Sequence, residues 1–411
     1  MIQLEEAKER LILVGVSEQD GDDTEDSMEE LKELVATAGA SVAGMVIQKR
    51  ETMHPGTYVG KGKVEEIREL LIETQATGIV CDDELSPAQL RNLTDLLDVK
   101  VMDRTLIILD IFAMRASTNE GKIQVELAQL RYRATRLTGM GRSMSRLGGG
   151  IGTRGPGEKK LEMDRRLIRE RISRLKKELK DVERHRELIR GQRKQSGLKV
   201  AALVGYTSAG KSSIENALTQ AGVLEDAMLF STLDTTTRAL TLDNTQEILL
   251  TDTVGFINKL PHHLVEAFKS TLEEAKYADI IVHVVDASNP QMDAQMHVVY
   301  ETLRQLGAEG KPVITLFNKQ DKVENPVNHK DLQADYSIAT SAKTGQGLEE
   351  FKQALLEIIR KEQIYIERLY DFSEAGKIQL IRSKGQLLSE EYVPEGIEVK
   401  AYVPQDIYGR L

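Results

Sequence analysis

The stretch of sequence that decides the fold is Gly205-Tyr206-Thr207-Ser208-Ala209-Gly210-Lys211-Ser212. A short apolar run, residues 199–204, precedes it, and a helical pattern, residues 213–218, follows it. A strand, a glycine-rich loop and a helix in this order are typical of the phosphate-binding loop of nucleotide triphosphatases. The glycines let backbone N–H groups approach phosphate oxygens, while the helix N-terminus and Lys211 supply positive charge. The sequence therefore predicts that all eight residues contact a nucleotide and that the Ser212 hydroxyl holds Mg²⁺.

A second motif, Asp252-Thr253-Val254-Gly255, closes the apolar run 248–251 about 40 residues later. An Asp at the tip of such a strand is placed to bind Mg²⁺ through water, and the glycine lets a backbone amide meet the γ-phosphate. These four residues are therefore predicted to contact the nucleotide, and Lys211 and Gly255 are the predicted catalytic residues.

Two further motifs indicate which nucleotide base is bound. Asn318-Lys319-Gln320-Asp321 follows the strand pattern 312–317, and Ser341-Ala342-Lys343 lies in a turn suited to packing on the base. The Asp321 carboxylate can accept hydrogen bonds from the N1–H and the exocyclic amine of guanine, a donor pair that adenine lacks. Four motifs in this order are not expected of ordinary surface turns, and together they predict a GTPase domain.

The composition favours a cytoplasmic, multidomain protein. The chain has 411 residues, no apolar run near the ~18 residues of a membrane span, and no signal-peptide pattern at its start. Its single cysteine, Cys81, ends the apolar run 77–80 and is expected to be a buried core residue rather than a reactive thiol. We also expect the protein to act as a monomer.

The net charge of −10 conceals a basic segment. Residues 131–194 contain 21 Lys and Arg against 8 Asp and Glu, a net charge of +13, whereas the rest of the chain contains 34 and 57. A basic arm on an acidic body suggests contact with RNA or DNA. The alternative is a solvated helix with many i,i+4 ion pairs, which accounts for the interleaved acidic residues but not for the excess of positive charge.

The basic segment has three parts. Apolar residues recur at helical spacing over 120–137 and 161–189, which predicts an antiparallel helical hairpin. Between the two helices lies the glycine-rich loop 138–157, which includes Met140, Met144 and Leu147 among its glycines. Such a loop allows close approach to phosphates or splayed bases, and a flexible linker is the alternative. The predicted RNA-contact residues in the loop are Arg142, Arg146 and Arg154.

The N-terminal segment alternates between two kinds of pattern. Strand-like runs at 9–16, 42–48, 78–81 and 100–102 are separated by helical patterns at 27–38, 63–74 and 87–97, which predicts a small parallel sheet with crossover helices. The Gly/Lys loop 58–63 precedes the second helix and could bind an anion, either RNA phosphate or a second nucleotide. It lacks the spacing of a full phosphate-binding loop.

The overall fold class is therefore α/β with four predicted domains. Residues 1–116 form an N-terminal α/β domain, 117–197 the basic helical hairpin with its glycine-rich loop, and 198–362 the P-loop GTPase domain. A helix is predicted at 351–363. Residues 363–411 form a small α+β domain with strands at 365–369 and 397–403 around a helix at 372–384.

The chain resembles the HflX family of bacterial ribosome-associated GTPases over nearly its whole length. The most specific shared segments are 148–158 running into 161–166, 103–112 and 120–130. Residues 230–238 resemble the family's switch I. The resemblance implies that its first five residues contact the nucleotide, with Thr232 a second Mg²⁺ ligand: Phe230, Ser231, Thr232, Leu233 and Asp234. It also implies binding to the large ribosomal subunit and its rRNA, ribosome splitting, and action near the peptidyl-transferase region. Some relatives have an ATP-linked activity in the N-terminal part.

Several positions in and after the nucleotide motifs bear on hydrolysis. The resemblance places Asn, which helps to bind a monovalent cation, where this chain has Ser208, so potassium is expected to differ little from sodium. Ser213-Ile214-Glu215 also replaces the usual Thr-Leu-Phe, without removing Lys211 or Ser212. Phe256 occupies the place where many GTPases have a water-positioning Gln, so slow intrinsic hydrolysis and stimulation by a partner are expected. His262 and His263 lie nearby, at an expected helix start, and a structural role is favoured over a catalytic one.

The favoured function is a GTP-switched factor that binds ribosomal RNA, splits or rescues ribosomes under stress, and displaces antibiotics near the peptidyl-transferase centre. Two alternatives stay open. A tRNA-modification GTPase would use a similar switch, but such proteins carry a cysteine near the C-terminus that this chain lacks. A protein-only signalling switch is disfavoured by the basic segment.

Overall fold

The computed structural model describes residues 9–18, 23–137, 156–196, 198–219, 229–230, 232–233, 236–242, 246–259, 269–323 and 329–411. The chain divides into two compact units. The first comprises residues 1–185 with segments 226–234 and 258–270, and the second comprises residues 186–225, 235–257 and 271–411. Among the described residues, no helix has the length and apolar character needed to cross a membrane.

The first unit contains a four-stranded parallel sheet. Its strands are β1 (Arg10–Ser17), β2 (Ser41–Lys49), β3 (Gly78–Cys81) and β4 (Lys100–Asp103), in the order β2-β1-β3-β4. The connecting helices are α1 (Thr24–Thr37), α2 (Lys61–Thr74) and α3 (Pro87–Leu97), and α4 (Arg104–Arg115) follows β4 directly. Parallel neighbours require such crossovers, so the predicted alternation of strands and helices is confirmed. Cys81 is buried, as expected of a core residue.

A pair of helices completes the first unit. Helix α5 (Asn119–Arg136) packs against the first part of α6 (Pro156–Ser196) through a cluster formed by Ile123, Leu127 and Leu175. The Arg171 guanidinium donates two hydrogen bonds of 2.7 Å to the Glu126 carboxylate, and Arg165 donates one of 2.7 Å to the Leu137 carbonyl. Residues later in α5 therefore meet residues earlier in α6, and the helices are antiparallel. The loop 138–155, with Arg142, Arg146 and Arg154, lies outside the described residues.

The second unit is built on a six-stranded sheet in the order β10-β9-β8-β5-β7-β6. Its strands are β5 (Lys199–Gly205), β6 (Thr236–Thr241), β7 (Glu247–Asp252), β8 (Ile280–Asp286), β9 (Val313–Asn318) and β10 (Tyr336–Ala339). Its helices are α7 (Lys211–Thr219), α8 (Lys269–Tyr277), α9 (Met292–Gln305) and α10 (Leu348–Lys361). All neighbouring strands are parallel except β6 and β7. Ligands of open parallel sheets bind at the carboxyl ends of the strands, where the predicted motifs lie.

A small α+β domain ends the chain. Strands β11 (Gln363–Tyr370), β12 (Gln386–Val393) and β13 (Gly396–Pro404) form an antiparallel sheet in the order β11-β13-β12, with α11 (Ala375–Lys384) between β11 and β12 and α12 (Gln405–Tyr408) at the end. The sequence predicted β11, β13 and the helix but missed β12, whose centre, Ser389-Glu390-Glu391, has no apolar side chain. The fold class is confirmed, while the four domain boundaries stay predictions.

Candidate nucleotide-binding site

The glycine-rich loop is held between β5 and α7 by backbone hydrogen bonds. The Thr207 N–H donates to the Phe256 carbonyl at 2.7 Å, and the Phe256 N–H donates to the Gly205 carbonyl at 3.1 Å. Gly210 has a φ of +97°, and a Cβ there would lie 2.3 Å from the Asn318 side-chain nitrogen. A glycine is therefore required if Asn318 is to keep its 2.9 Å hydrogen bond to the Ala209 carbonyl.

Lys211 is turned back onto the loop. Its side chain is buried, and its Nζ donates to the carbonyl oxygens of Gly205 at 3.2 Å and Tyr206 at 3.0 Å. Burial lowers the pKa of Lys211 to about 8, although the Asp252 carboxylate acts in the opposite direction. Carbonyl dipoles only partly compensate a buried ammonium, so a phosphate anion in the loop would provide the charge it lacks.

The predicted metal ligand Ser212 and the predicted water-mediated ligand Asp252 meet directly. The Ser212 hydroxyl donates to the Asp252 Oδ2 at 2.7 Å, and Asp252 is buried at the end of β7. A hydroxyl oxygen beside a carboxylate is a hard donor set that fits Mg²⁺, which takes few protein ligands and shares phosphate oxygens. Thr232 belongs to the first unit, and its role as a ligand stays a prediction.

Gly255 lies against the loop with no room for a side chain. A Cβ at this position would lie 2.7 Å from the Thr207 Cα and 3.1 Å from the Lys211 Nζ. Only a glycine lets the backbone of this segment come so close to Lys211, the predicted catalytic lysine. Thr253, in the same motif, is buried and donates its hydroxyl hydrogen to the Leu203 carbonyl at 2.7 Å, which anchors the segment to β5.

The base-recognition motifs meet beyond the ends of β9 and β10. The Ser341 hydroxyl donates to the Asp321 Oδ1 at 2.7 Å, and the Ala342 N–H donates to the Asn318 Oδ1 at 3.1 Å. The Ser341 hydrogen bond lowers the pKa of the Asp321 carboxyl, with a smaller contribution from Lys343. An exposed carboxylate held in its ionised form suits the two donors of guanine.

Lys319 connects the same motif to the neighbouring strand. Its backbone is left-handed, with a φ of +64°, and its Nζ lies 2.6 Å from an Asp286 carboxylate oxygen at the end of β8. The following residue, Gln320, donates its backbone N–H to the Thr340 carbonyl at 3.1 Å. The predicted base-contact residues are therefore fixed by both neighbouring strands.

The Phe256 side chain is buried, at 1% exposure, and its backbone is occupied by the loop contacts described above. An apolar ring offers no hydrogen bond to an attacking water, which agrees with the expectation from the sequence. His262 and His263 lie outside the described residues.

Of the five switch I residues predicted to contact the nucleotide, three are described, and all three belong to the first unit. Phe230 has a φ of +54° and packs edge to face on Phe112, with ring centroids 4.7 Å apart. Thr232 is partly buried and Leu233 is buried, whereas Ser231 and Asp234 lie outside the described residues. Their contacts with the nucleotide stay predictions.

Glu215 is a candidate functional residue that the motifs do not identify. In the sequence it stands out only because the family resemblance places Phe at this position. The structure buries this carboxylate on α7 and places it beside Thr236 and Arg238 of β6. A charged residue on the apolar face of a short helix was the available signal, because such residues are rarely buried without partners.

The six-stranded sheet, the loop on Lys211 and the guanine motif define a P-loop GTPase. Models of three protein families match the chain: "GTP-binding GTPase N-terminal" at residues 25–113, "GTP-binding GTPase Middle Region" at 115–193 and "50S ribosome-binding GTPase" at 200–319. A GTP-binding protein of Sulfolobus solfataricus, solved in complex with GDP, aligns with a TM-score of 0.44. It is 24% identical over 86% of this chain and 99% of that one.

Proteins named GTPase HflX match the chain along its length. That of Lacrimispora saccharolytica is 63% identical over 100% of this chain and 97% of its own, and that of Caldanaerobacter subterraneus subsp. tengcongensis is 47% identical over 100% and 95%. That of Escherichia coli K12 is 40% identical over 98% and 92%. The chain belongs to the HflX family of GTPases, and it is a GTP hydrolase.

Proposed function

We propose that this GTPase, with Mg²⁺ as its metal, binds the large ribosomal subunit through ribosomal RNA and uses the GTP-bound state to separate ribosomal subunits. The observation that carries the proposal is the basic, solvent-exposed face of α6. The match to a family described as "50S ribosome-binding GTPase" supports the same partner.

Helix α6 has one covered face and one basic face. Its apolar residues Ile172, Leu175 and Leu179 pack against α5. Seven basic side chains are exposed: Arg166, Arg169, Arg174, Lys176, Lys177, Lys180 and Arg184. Only some have an acidic neighbour on the helix, such as Arg166 with Glu170 at 2.8 Å. A rigid rod with an excess of exposed cations suits a surface of phosphates.

Two large apolar side chains accompany this basic face in the first turns of α6. Met163 is 63% exposed and Leu167 is 57% exposed. RNA offers unstacked bases as well as phosphates, and apolar side chains can pack on them. The proposal extends to the loop 139–157, which we expect to enter a narrow RNA pocket near the peptidyl-transferase centre and to displace antibiotics there.

The hydrolytic step divides between this chain and its partner. Lys211 and the amide of Gly255 would hold the γ-phosphate, with the Ser212 and Thr232 hydroxyls holding Mg²⁺, which neutralises phosphate charge when bound. Phe256 positions no water, so a partner surface, a backbone group or a bound cation must position the attacking water. We propose that the ribosome supplies this surface and that binding thereby controls hydrolysis. We propose a cytoplasmic monomer that acts under stress.

The test measures GTP turnover with and without purified large subunits. We expect the subunits to raise the rate at least about tenfold, because positioning of the water is a separable part of GTPase catalysis. The double variant Lys176→Glu/Lys180→Glu reverses two exposed charges on α6 and should abolish sedimentation with large subunits. Lys384→Glu/Arg410→Glu, which reverses two exposed charges in the C-terminal domain, is the matched control.

The outcomes separate the competing functions. Equal turnover with and without subunits would exclude a ribosome-activated switch. Binding to transfer RNA but not to ribosomes would favour a role in tRNA modification, and binding to neither would favour a protein partner. Subunit separation is read from sucrose gradients of intact ribosomes with a non-hydrolysable GTP analogue, which should shift 70S particles into subunits.

A further inference from the structure

A buried carboxylate lies one helical turn beyond Ser212. Glu215 on α7 is 2% exposed, and the Thr236 hydroxyl, at the start of β6, donates to both of its oxygens, at 3.0 and 3.3 Å. The Arg238 Nε lies 3.6 Å from the same carboxylate. Burial of an ionisable group this deep is costly, so its retention calls for a role beyond filling space.

These contacts form a closed series that includes Ser212, the predicted metal ligand. Thr236 pairs with Asp252 across β6 and β7, and Asp252 accepts the Ser212 hydrogen bond at 2.7 Å. Ser212 and Glu215 are i and i+3 on α7, so they lie on one face of that helix. These contacts connect the phosphate-loop helix to β6, whose first residues belong to the predicted switch I.

We propose that Glu215 is a positioning residue for Mg²⁺ and nucleotide: it fixes the start of β6 against the phosphate-loop helix and adds negative charge beside Asp252. The inference deepens the proposed function, because it rests on the Mg²⁺ site assigned to Ser212. The family resemblance places Phe at this position, so the role is not one that the resemblance implies.

The surroundings of Glu215 set its charge. Among the described residues, the charged groups that face it are Arg238 from β6 and Asp252 from β7, while β5 presents apolar side chains such as Ala201 and Leu203. Burial and the Asp252 carboxylate raise the pKa of Glu215 to about 7, against smaller opposing effects of Thr236 and Arg238. A dication at the Asp252 position would favour the ionised form.

Binding of Mg²⁺ should therefore release protons from Glu215, and by linkage the affinity for Mg²⁺ should fall as Glu215 becomes protonated. The GDP complex of the full chain is titrated with Mg²⁺ by calorimetry, in buffers of different ionisation enthalpy, between about pH 6 and about pH 8. We expect release of up to about half a proton near neutral pH, and roughly three- to tenfold weaker Mg²⁺ binding at the acidic end.

Glu215→Gln removes the charge and keeps an acceptor for Thr236. It should lose this proton release and the associated pH dependence, whereas Glu247→Gln, an exposed position on β7, should behave like the wild type. The contribution of the GDP phosphates is the same in every variant and cancels in the difference. Equal proton release by wild type and Glu215→Gln would overturn the inference.

Thr236→Val provides a second measurement that keeps the carboxyl group. Losing a hydrogen bond to the ionised form should move the pH of greatest proton release upward by about half a unit to one unit. Thr241→Val, at the far end of β6, is the matched control, and an unmoved profile in Thr236→Val would contradict the positioning role. If no form of the protein binds Mg²⁺ with GDP, the proposed metal site fails instead.

Discussion

The four-stranded sheet of the first unit and the six-stranded sheet of the second both present charged residues at the carboxyl ends of parallel strands. In the first, Asp103 accepts hydrogen bonds from Arg136 at 2.6 Å, from the Tyr132 hydroxyl at 2.8 Å and from two backbone N–H groups. Asp82 is likewise bonded to Ser27 and Arg104. These charges compensate one another within the protein.

In the second sheet the compensation is incomplete. Lys211 rests on two carbonyl oxygens, and its lowered pKa reflects an ammonium that burial disfavours. Asp321 is exposed and is held by a single hydroxyl, that of Ser341. The contrast shows that charged residues at the carboxyl ends of parallel strands do not by themselves identify a ligand site. A ligand site is indicated where the fold holds a charged side chain in place without neutralising its charge.

The largest expected effect comes from removing a compensated carboxylate at the carboxyl end of the four-stranded sheet. Asp103→Ala leaves the buried Arg136 with only the Glu84 carboxylate, at 3.7 Å, and removes the N-cap of α4. We therefore expect a loss of roughly 3–5 kcal/mol in the free energy of unfolding. Urea unfolding followed by circular dichroism measures it. Asp95→Ala, an exposed position on α3, should change stability by less than about 0.5 kcal/mol. A small loss in the free energy of unfolding for Asp103→Ala would mean that the charges at this end of the sheet do not stabilise the fold.

The second prediction removes the uncompensated charge. Lys211→Met should weaken binding of a fluorescent GTP analogue at least about 100-fold, because a charged donor to the phosphates is lost. Without nucleotide the variant should be no less stable than the wild type at neutral pH, since burial penalises the ammonium below its pKa of about 8.

The lowered pKa of Lys211 also determines how the stability of the nucleotide-free protein depends on pH. The folded pKa of Lys211 lies below its usual value, so the penalty is complete below about pH 8 and disappears as the pH rises towards the unfolded value. Wild-type stability should therefore increase relative to Lys211→Met over this window. Lys384→Met, at an exposed position, controls for loss of a lysine, and a wild-type advantage at neutral pH would contradict the account.

The third prediction concerns specificity at the exposed carboxylate. Asp321→Asn replaces an acceptor by a group that also donates, so GTP affinity should fall by roughly 2–4 kcal/mol while xanthosine triphosphate gains. Competition binding with both nucleotides measures the change. Unfolding should be almost unaffected because the side chain is exposed. An Asn variant that still prefers GTP would show that Asp321 does not read the base.

The nucleotide motifs were predictable because each places residues with special chemistry at fixed spacing. The parallel sheets were predictable because buried strands such as Leu11-Ile12-Leu13-Val14 are continuous apolar runs. Three features were not. Helix α4, Arg104–Arg115, follows β4 directly and buries most of its side chains, so no wide polar face marks it in the sequence. Strand β12 is a polar edge strand, and the partners of Glu215 are remote from it in sequence.

The smallest expected effect concerns the loop residue Ser208, which has a left-handed backbone with a φ of +57°. Asn tolerates this conformation better than most residues, so Ser208→Asn should be stabilising by a few tenths of a kcal/mol at most. It also restores the side-chain oxygen that relatives use for a monovalent cation. We expect hydrolysis by the wild type to differ by less than about twofold between potassium and sodium, or roughly 0.4 kcal/mol, and Ser208→Asn to gain a clear preference for potassium. Turnover measured in matched chloride salts tests both. Strong potassium stimulation of the wild type would show that the cation binds without an Asn amide at this position.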